Sequence, residues 1–463
     1  MEYFALLTVA TVIIVMLAAV LYRKRGDAGT LIGIGALYYW SLFGAWYIVI
    51  DKTGGFSGKN YQYLEGKLFP IALDQAYLVT LGLYAGFIIL VELTLLVAIA
   101  PASNREPPQL LMRHAPILWI GLCAGLGSLL LVYDNLSAAW ALNMSAYVYT
   151  RAQTDEWFTL HQVLNRVALL PPAIGLAVLA AGKNPRGLVS VGRRYTLPAY
   201  LLLLGAMGTF TFVLGNKNEV LAALVAGVLA YIGTARKPKW VRVGLVLFAG
   251  FWFLYAIDLF RAVPLAGLSE DVRERTEEAS GVATFLTSSN EAYGAHFSMY
   301  GVLAGQVEPR FGYSLYALAC SVIPRVLWPD RPRDIYLYYS ESVGAIQNQG
   351  YSLHHATGWY LNFGYLGVAL GAIVMGLVWA YCLNAHRRSA GGRLFRLFAT
   401  AAPWLFAACL PPLIRAGPEG YKGFLIEGVL IPVGVLAFSC RRKQMRAQLA
   451  WHAQRGWICG GAR

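Results

Sequence analysis

Residues 323–366 read IPRVLWPDRPRDIYLYYSESVGAIQNQGYSLHHATGWYLNFGYL, and this stretch decides how the chain is understood. It closes the longest polar interval of a greasy sequence and runs directly into an apolar helix. It holds Arg325, Arg331 and Arg333, the acids Asp330, Asp334 and Glu341, and the adjacent pair His354 and His355. Aromatic residues are interleaved with these charges. A guanidinium is a fixed fork of donors that matches phosphate oxygens. Tyr and Trp rings stack on the apolar faces of sugars. The mixture suits a site that holds an anion and sugar rings.

Working outward, the 463 residues are 57% hydrophobic and only 13% charged, with a mean hydropathy of +0.52. Soluble domains carry about 25% charged residues, so the chain reads as a membrane protein. A span needs about 20 mostly apolar residues. Eleven such runs are expected, near 3–22, 30–50, 75–100, 116–133, 162–182, 197–214, 219–234, 240–262, 356–383, 397–414 and 423–439. Arg23, Lys24 and Arg25 follow the first, which puts that loop in the cytoplasm and the N-terminus outside. Alternation then makes cytoplasmic the loops holding Arg105 and Arg113; Lys183, Arg186, Arg193 and Arg194; Arg236, Lys237, Lys239 and Arg242; and Arg387, Arg388, Arg393 and Arg396. The tail from 441 to 463 falls on that side too. Together these segments hold 23 of the 38 basic residues. The net charge of +14 is therefore a topology signal, and its dispersal excludes a nucleic-acid-binding patch.

The division expected is eight spans over 1–262, a large outer loop over 263–355, three spans over 356–439 and a basic cytoplasmic tail over 440–463. Within the loop, SEDVRERTEEAS reads as a solvated helix, and 313–323 as a re-entrant or interfacial helix rather than a further span. No basic region precedes the first apolar run and no small-residue cleavage site follows it, so it reads as a span rather than a leader. The six cysteines are scattered, which points to buried hydrophobes, not to a metal site or disulfide framework. No P-loop, GxGxxG, HExxH or GxSxG stands in a fitting context, and no internal repeat marks a secondary transporter.

Several residues are candidates for chemistry. Arg325, Arg331 and Arg333 fit a lipid diphosphate, or answer lipid headgroups and the neighbouring acids. His354 and His355 fit a general base, or structural hydrogen bonding, or a metal. In the turn GNKNE, Lys217 is a cation held at the membrane face, and Glu219 opens a helix where its charge suits the dipole. Charges inside spans cost a few kcal/mol unless paired, which marks Glu92, Arg166, Asp258 and Glu427. Arg166 and Asp258 are positioned to pair across an outward cavity, with Arg261 one turn beyond Asp258. Arg415 and Lys422 add positive charge on the same side. Tyr336 and Trp359 are sugar platforms or part of an interfacial aromatic belt.

The large outer loop ending in IPRVLWPDRPRD, the segment HHATGWYLNFGYLGVALG and the cationic GNKNE turn resemble the Wzy-type oligosaccharide repeat-unit (O-antigen) polymerases. Lys217 stands where that family has Arg, and the resemblance covers residues 205–375. It implies an all-α membrane protein of GT-C-like glycosyltransferase architecture in the bacterial inner membrane, with its site facing the periplasm. It implies inverting transfer, without metal or other cofactor, between undecaprenyl-diphosphate-linked oligosaccharides. Lys217, Arg261, Arg325, Arg331 and Arg333 would hold the substrate diphosphate, with Tyr336 and Trp359 against sugar. His354 or His355, then Glu291, would be the base. A chain-length regulator and a flippase would be further partners. An O-antigen ligase acting on lipid A core, a lipid-linked glycan flippase and a non-catalytic scaffold are the competing readings.

Overall fold

The computed structural model describes the chain except for residues 55–69, 102–109, 135, 137–156, 183–187, 191–194, 215, 261–289, 324–326, 345–351, 386–392 and 443–463. The side chains of 158, 257–260, 290–292, 393 and 441–442 are likewise outside the described set. The expected SEDVRERTEEAS helix, most of the 134–160 loop and nearly all of the basic tail therefore lie outside the described residues.

The fold is that of a multi-pass all-α membrane protein. In chain order its first seven helices are α1 (Glu2–Arg25), α2 (Ala28–Lys52), α3 (Gln75–Ala98), α4 (His114–Leu131), α5 (Phe158–Ala180), α6 (Thr196–Val213) and α7 (Lys217–Thr234). Then come α8 (Trp240–Phe260), α9 (Asn290–Ala304), α10 (Tyr313–Cys320) and α11 (Ile335–Ser342). The last three are α12 (His355–Asn384), α13 (Arg393–Ile414) and α14 (Lys422–Ser439). Among the described residues ten helices, α1–α7 and α12–α14, are long and apolar enough to cross a membrane. Each of the ten falls on an expected run, and the remaining run, 240–262, falls on α8, whose described apolar part is Trp240–Ala256. Large apolar side chains stay exposed along α1 (Val9, Val12, Val15), α6 (Leu201, Leu202) and α8 (Leu245, Phe248). Such faces suit hydrocarbon, where no water competes for them.

Helix ends sort into two groups. At one end, Arg25 donates to the carbonyls of Ala100 and Leu383, and Asn384 bonds the backbone of Ala98 and Ala100. There too a small sheet ties three loops together, with β1 (Leu110–Met112) parallel to β2 (Leu188–Ser190) and antiparallel to β3 (Cys440–Arg442). These are loops that charge alternation assigns to one side.

At the opposite end α9 packs among the spans. α9 is buried from Tyr293 to Val302 and packs on α2 and α3. His296 Nδ1–H donates to the carbonyl of Ser41 (2.6 Å) and its Nε2 accepts from the Tyr77 hydroxyl (3.0 Å). Tyr84 reaches the carbonyls of Ala295 and His296. The inserted element is thus α9, for which the sequence reading had no expectation. α10 has eight residues, about 12 Å of helix and far too short to span. Its neighbourhood keeps Phe311, Leu315, Tyr316, Val322 and Ile323 exposed, an apolar face of interfacial character.

The Asn-Phe-Gly segment also has a structural reading. α12 is broken where Phe363 leaves helical geometry and Gly364 adopts φ 61°, ψ −144°. That backbone region belongs to glycine. The stub 355–362 folds back on the spanning part, so a Cβ on Gly371 would sit 2.4 Å from the Trp359 indole. Asn362 locks the turn, donating to Ser314 Oγ (2.7 Å) and the Gly358 carbonyl (2.7 Å) while accepting from the Ser314 N–H (2.8 Å).

Among the described residues two π-helical segments interrupt spans, Tyr39–Phe43 in α2 and Lys422–Leu430 in α14. Wider turns release backbone carbonyls from the regular ladder. Ser41 and Gly423 carbonyls then accept from His296 and Arg166 of other helices. The second of these contacts belongs to the site.

Candidate functional site

The polar residues that converge come from α5, α7, α13 and α14. Gln162 and Arg166 lie one turn apart on the same face of α5. Asn216 caps α7, its Oδ1 accepting from the Asn218 N–H (3.3 Å), so Lys217, Asn218 and Glu219 fill the first turn. Pro412 near the end of α13 and Arg415 just beyond it close one wall. A cavity of about 170 Å³ opens between Gln162, Arg166, Asn216, Asn218, Glu219, Pro412 and Arg415. At roughly 30 Å³ per liquid water this is about six waters' worth of space.

Charge in the cavity is ordered. Lys422 Nζ lies 3.1 Å from Glu427 Oε1, Arg166 Nη1 lies 2.9 Å from Glu427 Oε2, and Arg166 Nε lies 3.4 Å from Glu219 Oε1. Arg166 Nη1 also donates to the Gly423 carbonyl at 3.0 Å. This chain of alternating signs is neutral, as a set of charges in low dielectric must be. Two further cations stand beside it. Arg415 Nε donates to Ser352 Oγ (2.8 Å) and its Nη1 to Asn218 Oδ1 (3.2 Å), while Lys217 is half-buried at the start of α7. Among the described residues that line it, the cavity has two arginines, Arg166 and Arg415, to one acid, Glu219, and it sits against a helix N-terminus, where anions are favoured.

Residues 323–366 play another part. His354 Nδ1 accepts from the Ala356 N–H (3.1 Å), which leaves Nε2–H to donate to Ser41 Oγ (2.9 Å). His355 Nδ1–H donates to the Ala416 carbonyl (2.8 Å) and its Nε2 accepts from Trp359 Nε1 (3.0 Å). Both rings are fully buried with both nitrogens committed, so neither presents a lone pair to a substrate. Arg331 Nη1 donates to the carbonyls of Ser321 (2.7 Å) and Ile323 (2.9 Å), pinning its own loop. Arg333 is exposed. Trp359 is buried against Gly371, and Tyr336 packs on Tyr339 with ring centroids 6.3 Å apart. Trp359 is thus closed off from a sugar ring, whereas Tyr336 stays half-buried.

Arg261 and Arg325 lie outside the described residues, as do the side chains of Asp258 and Glu291; of the latter, only the place at the start of α9 is known. Arg166 pairs with Glu219 and Glu427, partners other than the Asp258 expected from position alone. Glu427, marked as a charge that needs a partner, is a member of the ion chain. Gln162, Asn216 and Asn218 escaped the sequence reading. The available signal was the rule that a charge within a span needs partners, which marked Arg166 and Glu427 singly but did not join them.

This end of the bundle is braced around the cavity. The loop between α13 and α14 carries Arg415 and is held by His355 at Ala416 and by Glu419, whose Oε1 accepts from the Ile335 N–H at 2.9 Å. Burial, with the charge of Asp334 adding, pushes the Glu419 carboxyl up to about 7. The stub of α12 packs tightly on the same loop, since a Cβ on Gly358 would lie 2.6 Å from Gly417 Cα. Among the described residues no three His, Cys, Asp or Glu side chains gather as a metal-binding group. Comparison with family models, with curated proteins and with solved structures finds no match to this chain.

Proposed function

We propose that the protein is a membrane-embedded glycosyltransferase that joins lipid-diphosphate-linked oligosaccharide units at the outer end of its bundle. The observation that carries this is the polar cavity between α5, α7 and α13, lined by Arg166 and Arg415 at the start of α7, where Lys217 adds a further cation. A leaving diphosphate gains charge as the glycosidic bond breaks, and fixed cations in a water-poor site stabilise that charge most. Arg415 supplies a fork of donors already oriented by Ser352 and Asn218. Lys217 supplies a point charge. The exposed apolar face around α10 gives the lipid carrier a place to approach from the bilayer. The basic loops gathered at the other end favour a cytoplasmic location for that end, which puts the cavity on the periplasmic side of the inner membrane.

The roles expected of the long outer segment change accordingly. Arg331, His354, His355 and Trp359 brace the site instead of touching substrate.

The test is lengthening of lipid-linked repeat units by purified protein, with and without a chelator. Wild type should extend the chains in both conditions. Arg415→Ala should slow extension by about 10²–10³-fold, the size seen when one stabilising donor is removed. It should also weaken binding of undecaprenyl diphosphate. No extension by wild type sinks the proposal. Transfer to lipid A core alone would make the protein a ligase instead.

A further inference from the structure

Inverting transfer requires a base for the acceptor hydroxyl, and the described groups around the cavity narrow the choice. Glu427 is committed at both oxygens, to Arg166 and Lys422. The two histidines are committed at all four nitrogens. Glu219 differs. It lines the cavity, and only its Oε1 is held, by Arg166 at 3.4 Å. Among the described residues its Oε2 accepts no hydrogen bond, and it is not a buried orphan either, because it faces the cavity space. The residue is only 4% exposed, so the carboxylate is shielded everywhere but there.

We infer that Glu219 is the catalytic base, a proposal that rests on glycosyl transfer at this cavity. Consecutive residues of a helix project about 100° apart. Asn218 turns toward Arg415, and Glu219 turns toward Arg166. The first turn of α7 thus separates a cationic flank from a carboxylate flank. A single displacement with inversion needs that separation, since base and leaving group act on opposite faces of the anomeric carbon. In the step, Glu219 Oε2 takes the proton of the acceptor hydroxyl and the hydroxyl oxygen forms the new bond to the anomeric carbon. The bond from that carbon to the diphosphate breaks, and its electron pair leaves with the lipid diphosphate, held by Arg415 and Lys217. Arg166 is a positioning residue, fixing Oε1 so that Oε2 points into the cavity.

The experiment compares wild type, Glu219→Gln and Glu219→Asp in the same extension assay, with undecaprenyl diphosphate alone as the binding probe. Glutamine retains an oxygen for the Arg166 bond but cannot accept the proton. Extension should fall by about 10²–10⁴-fold, the range for loss of a general base, while probe binding stays within about threefold. Aspartate should restore part of the rate together with the acidic limb of the pH profile, which glutamine abolishes. Two results overturn the inference while leaving the transferase reading intact. One is a glutamine variant that extends chains at the wild-type rate. The other is a glutamine variant that loses binding as steeply as rate, with no rescue by aspartate, which marks a purely structural acid. If wild type extends nothing, the underlying reading has failed, and Glu219 with it.

Discussion

The segment from α10 to the stub of α12 and the cavity between α5, α7 and α13 share one end of the bundle but use their polar residues in opposite ways. The segment is crowded with residue types that suggest chemistry, and its buried polar side chains, among them Ser314, His354, His355 and Asn362, are matched within the protein. Arg310 lies over the Tyr338 ring at 3.8 Å, Tyr338 donates to the Glu308 carbonyl, and Arg331, His354, His355 and Asn362 close further contacts. The cavity has fewer such residues, yet Arg415 and one oxygen of Glu219 line its open space. The difference is one of capacity. A side chain can act on a ligand only if its hydrogen-bonding capacity is not already used by the fold.

That contrast can be broken by mutation. The largest effect on stability should come from Arg166→Met, which strands the carboxylate of Glu219 in the bundle and leaves Glu427 with Lys422 alone. Removing one partner of a buried pair costs about 3–5 kcal/mol. A large drop in melting temperature should follow, partly recovered by adding Glu219→Gln, which removes the stranded charge. A single variant as stable as wild type would show that the ion chain is not structural. His355→Ala comes next, since it leaves the Ala416 carbonyl and Trp359 Nε1 without their partner, at about 1–3 kcal/mol for each unsatisfied buried group. Melting should fall, while the pH profile of extension per folded molecule keeps its shape. A lost basic or acidic limb in that variant would return the histidine to proton transfer.

The smallest effect concerns the brace at Glu419. Its folded carboxyl titrates at about 7 against the usual 4.5, so the folded state binds the proton more tightly than the unfolded state. Stability is then greatest on the acid side, falls as pH rises from about 4.5 to about 7, and levels off above. Glu419→Gln should flatten this slope when melting is followed across that window. A wild-type curve that rises with pH by more than the variant's would contradict the sign.

Much of the architecture was legible beforehand, for local reasons. A span is an uninterrupted apolar run, and a basic loop declares itself by composition, so neither needs knowledge of neighbours. The breaks were legible only in part. Gly364 is visible as a glycine in NFGYLG, but its φ of 61° and the folding back of 355–362 depend on Trp359 finding room over Gly371. The insertion of α9 was not legible. Its sequence NEAYGAHFSMYGVLA looks like the rest of a mixed loop, and only packing on Ser41, Tyr77 and Tyr84 shows where it lies.

The sequence by itself determined the membrane class, the places of the spans and the sorting of basic loops, because hydropathy and charge act residue by residue. Tertiary structure alone decided that Arg166 pairs with Glu219 and Glu427, that His354 and His355 are fully bonded, and that Arg415 stands over the start of α7. All but two of those contacts, the local bonds of His354 to Ala356 and of His355 to Trp359, join residues 53 to 313 positions apart. Pairing over such distances follows from how helices pack, since every buried polar group must find a partner and residue type does not say which.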